Sequence, residues 1–221
     1  MKKKYYLFEM NSLLLNIISL VLFFVMWFIS MAIVGSISFD NKTLGYVMLL
    51  LLPYFSFHEV LHSVGYVLHG ANFKNITYGA HIEKGILCCL CKQRVSKKCI
   101  LISLLYPFMF IGVITLILGI VFHNAILIIL SVMNISGCSG DLIMFLSFVG
   151  LKDFEYSEYD NPLAFGLYSS KDLSKTKFFG LKYVDTKEDL EIKDLKKVSF
   201  SKTSIGAFVG MIILGLVMIF L

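Results

Sequence analysis

The chain has 221 residues, 57% of them hydrophobic and 16% charged, with a mean hydropathy of +0.80. These values exclude an ordinary soluble domain and leave a membrane protein. The net charge of +5 comes from basic residues gathered in particular loops, a topology signal that gives no reason to invoke nucleic acid.

A helix needs roughly 20 mostly apolar residues to cross about 30 Å of hydrocarbon, and five segments qualify. They are Ser12–Gly35, Leu44–His69, Cys99–Val121, Ala125–Val149 and Ser204–Leu221. The first follows "MKKKYY", but its apolar run exceeds the roughly 7–15 residues of a signal-peptide h-region and no small-residue cleavage site follows, so it reads as a retained anchor. Between spans two and three, 71–98 is too polar to cross. Its β-branched and aromatic residues around Glu83-Lys84-Gly85 predict a β-hairpin. Pro107 is expected to kink span three. After Gly150 the composition shifts to alternating charge, with turn signals at Asp160-Asn161-Pro162 and near Ser169-Ser170; a small appendage of short strands, with one helix near Lys187–Lys197, is expected. The overall expectation is an all-α polytopic membrane protein of about five transmembrane helices, with a small β-hairpin and a short cytoplasmic appendage.

Lys2, Lys3 and Lys4 precede span one, six basic residues lie in 71–98, and ten lysines lie from Lys152 to Lys202. The loops on the other side contain only Lys42. The positive-inside rule therefore puts the N-terminus, the hairpin and the appendage in the cytoplasm of a multi-pass cell-membrane protein, with the appendage's lysines near the lipid surface. Lysine supplies all basic residues but Arg94, a bias that fits an AT-rich bacterial genome, so the expected location is a bacterial cytoplasmic membrane. Four of the five cysteines fall on that reducing side, so a disulfide framework is not expected.

Of fifteen acidic residues only Glu59 and Asp141 lie well inside predicted spans. A carboxylate at mid-bilayer costs roughly 2.5–3.5 kcal/mol and persists mainly where it has a partner or a function. Glu59 stands in "HEVLH". On a helix, i and i+4 differ by about 40° and about 6 Å of rise, so His58 and His62 point the same way and can bind one Zn²⁺. Glu59, about 100° from His58, can reach water at the metal and act as general base. The alternative is a metal-free hydrogen-bonded cluster.

A catalytic zinc takes three protein ligands and keeps one position open. In "VMNISGCSGDLIMF", Asn134, Gly137 and Asp141 share a helix face, and Asp141 is the other intramembrane carboxylate. The small residues around it permit close helix approach or local unwinding. The alternative for Asp141 is a structural acid paired with a histidine.

A helical HExxH followed two spans later by an Asn and a Gly-Asp resembles the site-2 protease type of intramembrane metallopeptidase. It is more similar to a bacterial family of zincin membrane peptidases with HExxH and a late Gly-Asp. The resemblance covers about Leu44–Gly150. It implies zinc on His58, His62 and Asp141, Glu59 as base, and Asn134 polarising the scissile carbonyl. Site-2 proteases usually read HExGH and Asp-Gly; here Leu61 precedes the second His and Gly140-Asp141 is reversed. The implied partners are a membrane-protein or membrane-proximal peptide substrate and the bilayer.

His69 is roughly 20° off the His58 stripe and could line the site. His81 and His123 read as solvated. Cys88-Cys89-Leu90-Cys91 reads as apolar strand rather than a second metal or redox pair. Tyr54, Tyr66 and Tyr106 are interfacial anchors or hydroxyl donors to an oxyanion. Gly206-x-x-x-Gly210 suits helix association, within the chain or in a homo-oligomer. The chain divides into an anchor span and external loop (1–43), a three-span metallopeptidase-like core with the 71–98 loop (44–150), the appendage (151–203) and a final span (204–221). The expected activity is zinc-dependent peptide hydrolysis in or beside the membrane. Rival readings are an inactive zinc-binding scaffold or partner protein and a metal-ion transporter.

Overall fold

The computed structural model describes residues 3–35, 40–81, 86–152, 154–158, 163–184 and 202–220. The expected turns at Lys84-Gly85 and Asp160-Asn161-Pro162, the expected helix over Lys187–Lys197 and the side chain of His81 lie outside the described residues.

Three helices are long and apolar enough to cross a membrane: α1 (Ser12–Val34), α2 (Asn41–Leu68), and the stretch Lys97–Val121. That stretch is α3 (Lys97–Pro107), a π-helical turn (Phe108–Val113) and α4 (Ile114–Val121). Polar side chains set the helix starts: Asn11 accepts from the Leu14 N–H at 3.1 Å and Asp40 from the Thr43 N–H at 2.8 Å. Gly35, at φ +80°, ends α1. An outer apolar face on α1, including Leu13, Leu20 and Phe28, is left for lipid. The expected fourth span is not one straight helix. It is α5 (Ala125–Gly137) and α6 (Ser139–Val149), bent by 49° at Cys138. The last helix, α7 (Lys202–Phe220), is apolar over Val209–Phe220.

The all-α expectation is corrected by a five-stranded antiparallel sheet, besides the expected hairpin of β2 (Ile76–His81) and β3 (Ile86–Cys91). Its strands are β1 (Lys4–Met10), β4 (Val95–Ser96), β5 (Phe154–Glu158), β6 (Ala164–Ser169) and β7 (Leu181–Val184), in the order β4-β5-β6-β1-β7. The N-terminal segment thus does more than carry lysines: Tyr6 pairs with Leu167 and Phe8 with Phe165. Phe8, Tyr156 and Phe165 of the sheet share one core with Phe148 of α6. This contact fixes the sheet against the helices.

Two glycine contacts set helix spacing. A Cβ on Gly65 of α2 would lie 2.6 Å from Ser103 Cα of α3, and one on Gly45 would lie 2.6 Å from the Gly215 carbonyl of α7. Small residues here let backbones touch. The close approach of α7 uses Gly215, whereas Gly210 of the expected Gly206/Gly210 pair meets open space.

Candidate metal centre

His58 and His62 lie one turn apart on the buried side of α2, and Asp141 comes from the first turn of α6, just past the break at Cys138. The bend brings the acid over the histidines: Asp141 Oδ2 is 3.5 Å from each Nε2, and the two Nε2 atoms are 3.1 Å apart. Among the described residues these three form the one group of His, Cys, Asp or Glu side chains able to hold a metal ion.

The back of each imidazole is fixed by a carbonyl oxygen. His58 Nδ1 lies 2.8 Å from Asn134 Oδ1, and His62 Nδ1 lies 2.9 Å from the Ser103 carbonyl. The Asn134 amide is oriented by its own donation to the Pro107 carbonyl at 3.3 Å. Both Nδ1 atoms face acceptors, so both carry the proton and donate it. Both Nε2 atoms then present lone pairs toward each other. Two such acceptors at 3.1 Å, with a carboxylate over them, are satisfied either by a proton shared among them or by a cation between them. Donors about 2.0–2.1 Å from a four-coordinate zinc lie roughly 3.4 Å apart, which matches this triangle. The donor set, two neutral imidazoles and a carboxylate, suits zinc and leaves one position open.

Glu59 stands beside the triangle, its Oε1 3.9 Å from His58 Nε2, and lines a cavity of about 220 Å³ with His58, His62 and Asp141. The opposite wall is β3, through Leu87 to Leu90. The backbone N–H of Cys89 is directed at the Glu59 carboxylate.

Asn134 is where the geometry departs from the role implied by the resemblance. It is fully buried behind His58, with its oxygen engaged by His58 Nδ1, and it is not on the cavity wall. It orients the His58 imidazole instead of facing the cleft. His69 does not enter the cavity either. α2 ends at Leu68 and the chain turns at Gly70, at φ +106°, so His69 Nδ1 folds back onto the Gly65 carbonyl at 2.9 Å. Cys88 and Cys89 line the cavity as protonated thiols, since burial pushes Cys88 up to about 12 and Cys89 higher still. This agrees with the apolar strand reading.

The sequence reading missed Glu158. It is buried at the end of β5 and lines the same cavity. Its Oε1 accepts from the Tyr66 hydroxyl at 3.1 Å and its Oε2 from Tyr156 at 2.9 Å. Burial pushes its pKa up to about 7, against the lowering effect of the two hydroxyls. A period-2 signal was present: Phe154, Tyr156 and Glu158 alternate onto one face, all buried. Tyr66, considered as an oxyanion donor, instead holds Glu158.

Residues 50–152 match a family model described as "Putative zincin peptidase". The match takes in His58, Glu59, His62, Asn134 and Asp141, covers just under half of the chain, and ends before Glu158. No curated protein and no solved structure matches the chain.

Proposed function

We propose that this chain is a zinc-dependent membrane peptidase acting on membrane proteins or on peptides close to the bilayer. The observation that carries the reading is the pair of facing Nε2 lone pairs under Asp141, with a free carboxylate, Glu59, beside them. A structural zinc has no use for that carboxylate.

His58, His62 and Asp141 would hold the ion. Bound zinc supplies Lewis acidity, which makes water a nucleophile near neutral pH and stabilises negative charge on a carbonyl oxygen. Glu59 carries the proton: its carboxylate takes it from the attacking water and returns it to the nitrogen of the breaking peptide bond. Asn134 and Ser103 keep the imidazoles in the metal-binding tautomer. β3 pairs only with β2 among the described residues, so its other edge faces the cavity and suits an extended peptide laid along it.

The membrane placement extends the same reading. α1, α2 and the α3–α4 stretch cross as three spans, α5 and α6 together as a broken fourth, and α7 as a fifth. The lysine-rich loops and the sheet then lie in the bacterial cytoplasm, with the site open toward that side. The sheet joins the N-terminal strand and Val95–Ser96 of the core segment to the appendage. A homo-oligomer would use the exposed face of α7.

The test is a comparison of membrane-protein fragments, by proteomics, in cells carrying the wild type or Glu59→Gln. Fragments present only with the wild type are expected. Identical fragment patterns would remove the peptidase reading.

A further inference from the structure

The cavity's charges do not balance around a metal alone. Its ionisable lining is Glu59, Asp141, Glu158, His58 and His62, with no lysine or arginine among the described residues. A divalent cation on the His58, His62 and Asp141 donors offsets Asp141 and Glu59. The third carboxylate is left over. Among the described residues no basic side chain pairs with Glu158, and it is outside the group of donors close enough to share the ion. A buried carboxylate without a cationic partner is costly.

The chemistry around Glu158 selects what would pair with it. Each carboxylate oxygen accepts one tyrosine hydroxyl, and with the Cys91 backbone N–H also acting on the carboxylate some acceptor capacity remains. Tyr66 and Tyr156 have each given their one proton to Glu158, so their oxygens are now acceptors only. With Glu158 ionised, the cluster therefore offers several acceptors and no hydroxyl donor. An ammonium or guanidinium group, which has donors and no acceptor, fits this set. The cluster is also rigidly mounted: Tyr66 stands one turn after His62 on α2, and Tyr156 and Glu158 are on β5 inside the sheet core.

We propose that Glu158, Tyr66 and Tyr156 form a subsite for a cationic group of the bound peptide, either its terminal α-ammonium or a lysine or arginine side chain. The proposal rests on the peptidase reading and adds a substrate class to it: peptides carrying a positive charge at a fixed distance from the bond at the metal. Glu158 lies beyond the matched region, on the sheet.

The test uses the purified full chain carrying Glu59→Gln, loaded with zinc in detergent, so that binding is read without turnover. Four labelled apolar pentapeptides are compared by fluorescence anisotropy: one with a free N-terminus and no lysine, its N-acetylated form, an acetylated form with one lysine, and the same with norleucine in place of lysine. At least one cationic peptide is expected to bind about tenfold or more tightly than its neutral counterpart. Preference for the first over the second identifies the α-ammonium, and preference for the third over the fourth identifies the side chain. The preference should vanish with Glu158→Gln added, with zinc content unchanged, and persist with Glu158→Asp. Equal binding of charged and neutral peptides by the Glu59→Gln protein, or a preference that survives Glu158→Gln, overturns the subsite alone. No binding of any peptide overturns it together with the peptidase reading.

Discussion

Asp141 and Glu158 are acidic residues on the wall of one cavity, the first from the helical core and the second from the sheet. Asp141 lies 3.5 Å from two imidazole nitrogens that together with it could hold a metal ion. Glu158 meets two phenolic hydroxyls and forms no ion pair with a basic side chain among the described residues, although His62 acts on it electrostatically across the cavity. The contrast separates two uses of a buried carboxylate. One is placed to complete a metal site, where an ion would offset its charge. The other holds neutral donors and keeps an unmet demand for positive charge.

The strongest way to break this comparison is to move the helical half. Gly65→Ala would place a methyl 2.6 Å from the Ser103 backbone and push α3 off α2. Overpacking of this kind costs about 1–3 kcal/mol. The Ser103 carbonyl that fixes His62 would move with α3, so both thermal stability in detergent and zinc content should fall. Retention of both would contradict the role given to the α2–α3 contact.

Asn134→Ala tests the support behind the first histidine. Without the acceptor at 2.8 Å, His58 can turn over or change tautomer. Loss of such an outer partner typically weakens metal binding by about 10–100-fold. A competition titration with a zinc chelator should show that drop while the fold is kept. Unchanged affinity would return Asn134 to a role in the cleft.

On the sheet side the effect is smaller and depends on pH. Glu158 has a folded value near 7, above its ordinary 4.5. The folded state therefore binds the proton more tightly than the unfolded chain, and stability that is present below about 4.5 is lost as pH rises through about 7. Between pH 5 and 8 the wild type should lose a few degrees of thermal midpoint relative to Glu158→Gln. Parallel curves for the two proteins would show that Glu158 is not held in this state.

The two regions also differ in how far the sequence announced them. Glu59 and Asp141 stand out because acids are rare in apolar spans, and the helical period places His58 and His62 on one face. The break at Cys138 was hinted at only by its small neighbours. The partner of Asn134 was hidden, because it depends on the Pro107 carbonyl of another helix. In the sheet the signals are short and the partners distant: β1 pairs with a strand about 160 residues away, and its lysines read first as a topology signal. Glu158 sat in a five-residue alternation that resembled a solvated charge run.

On the proposed reading α2 and the broken α5–α6 segment share one zinc. Elemental analysis of the purified wild type, Glu59→Gln and Asp141→Ala proteins tests it most directly. About one zinc per chain is predicted for the first two and a strong loss for Asp141→Ala, since only Asp141 completes the triangle with His58 and His62. Full zinc occupancy in Asp141→Ala would contradict the account.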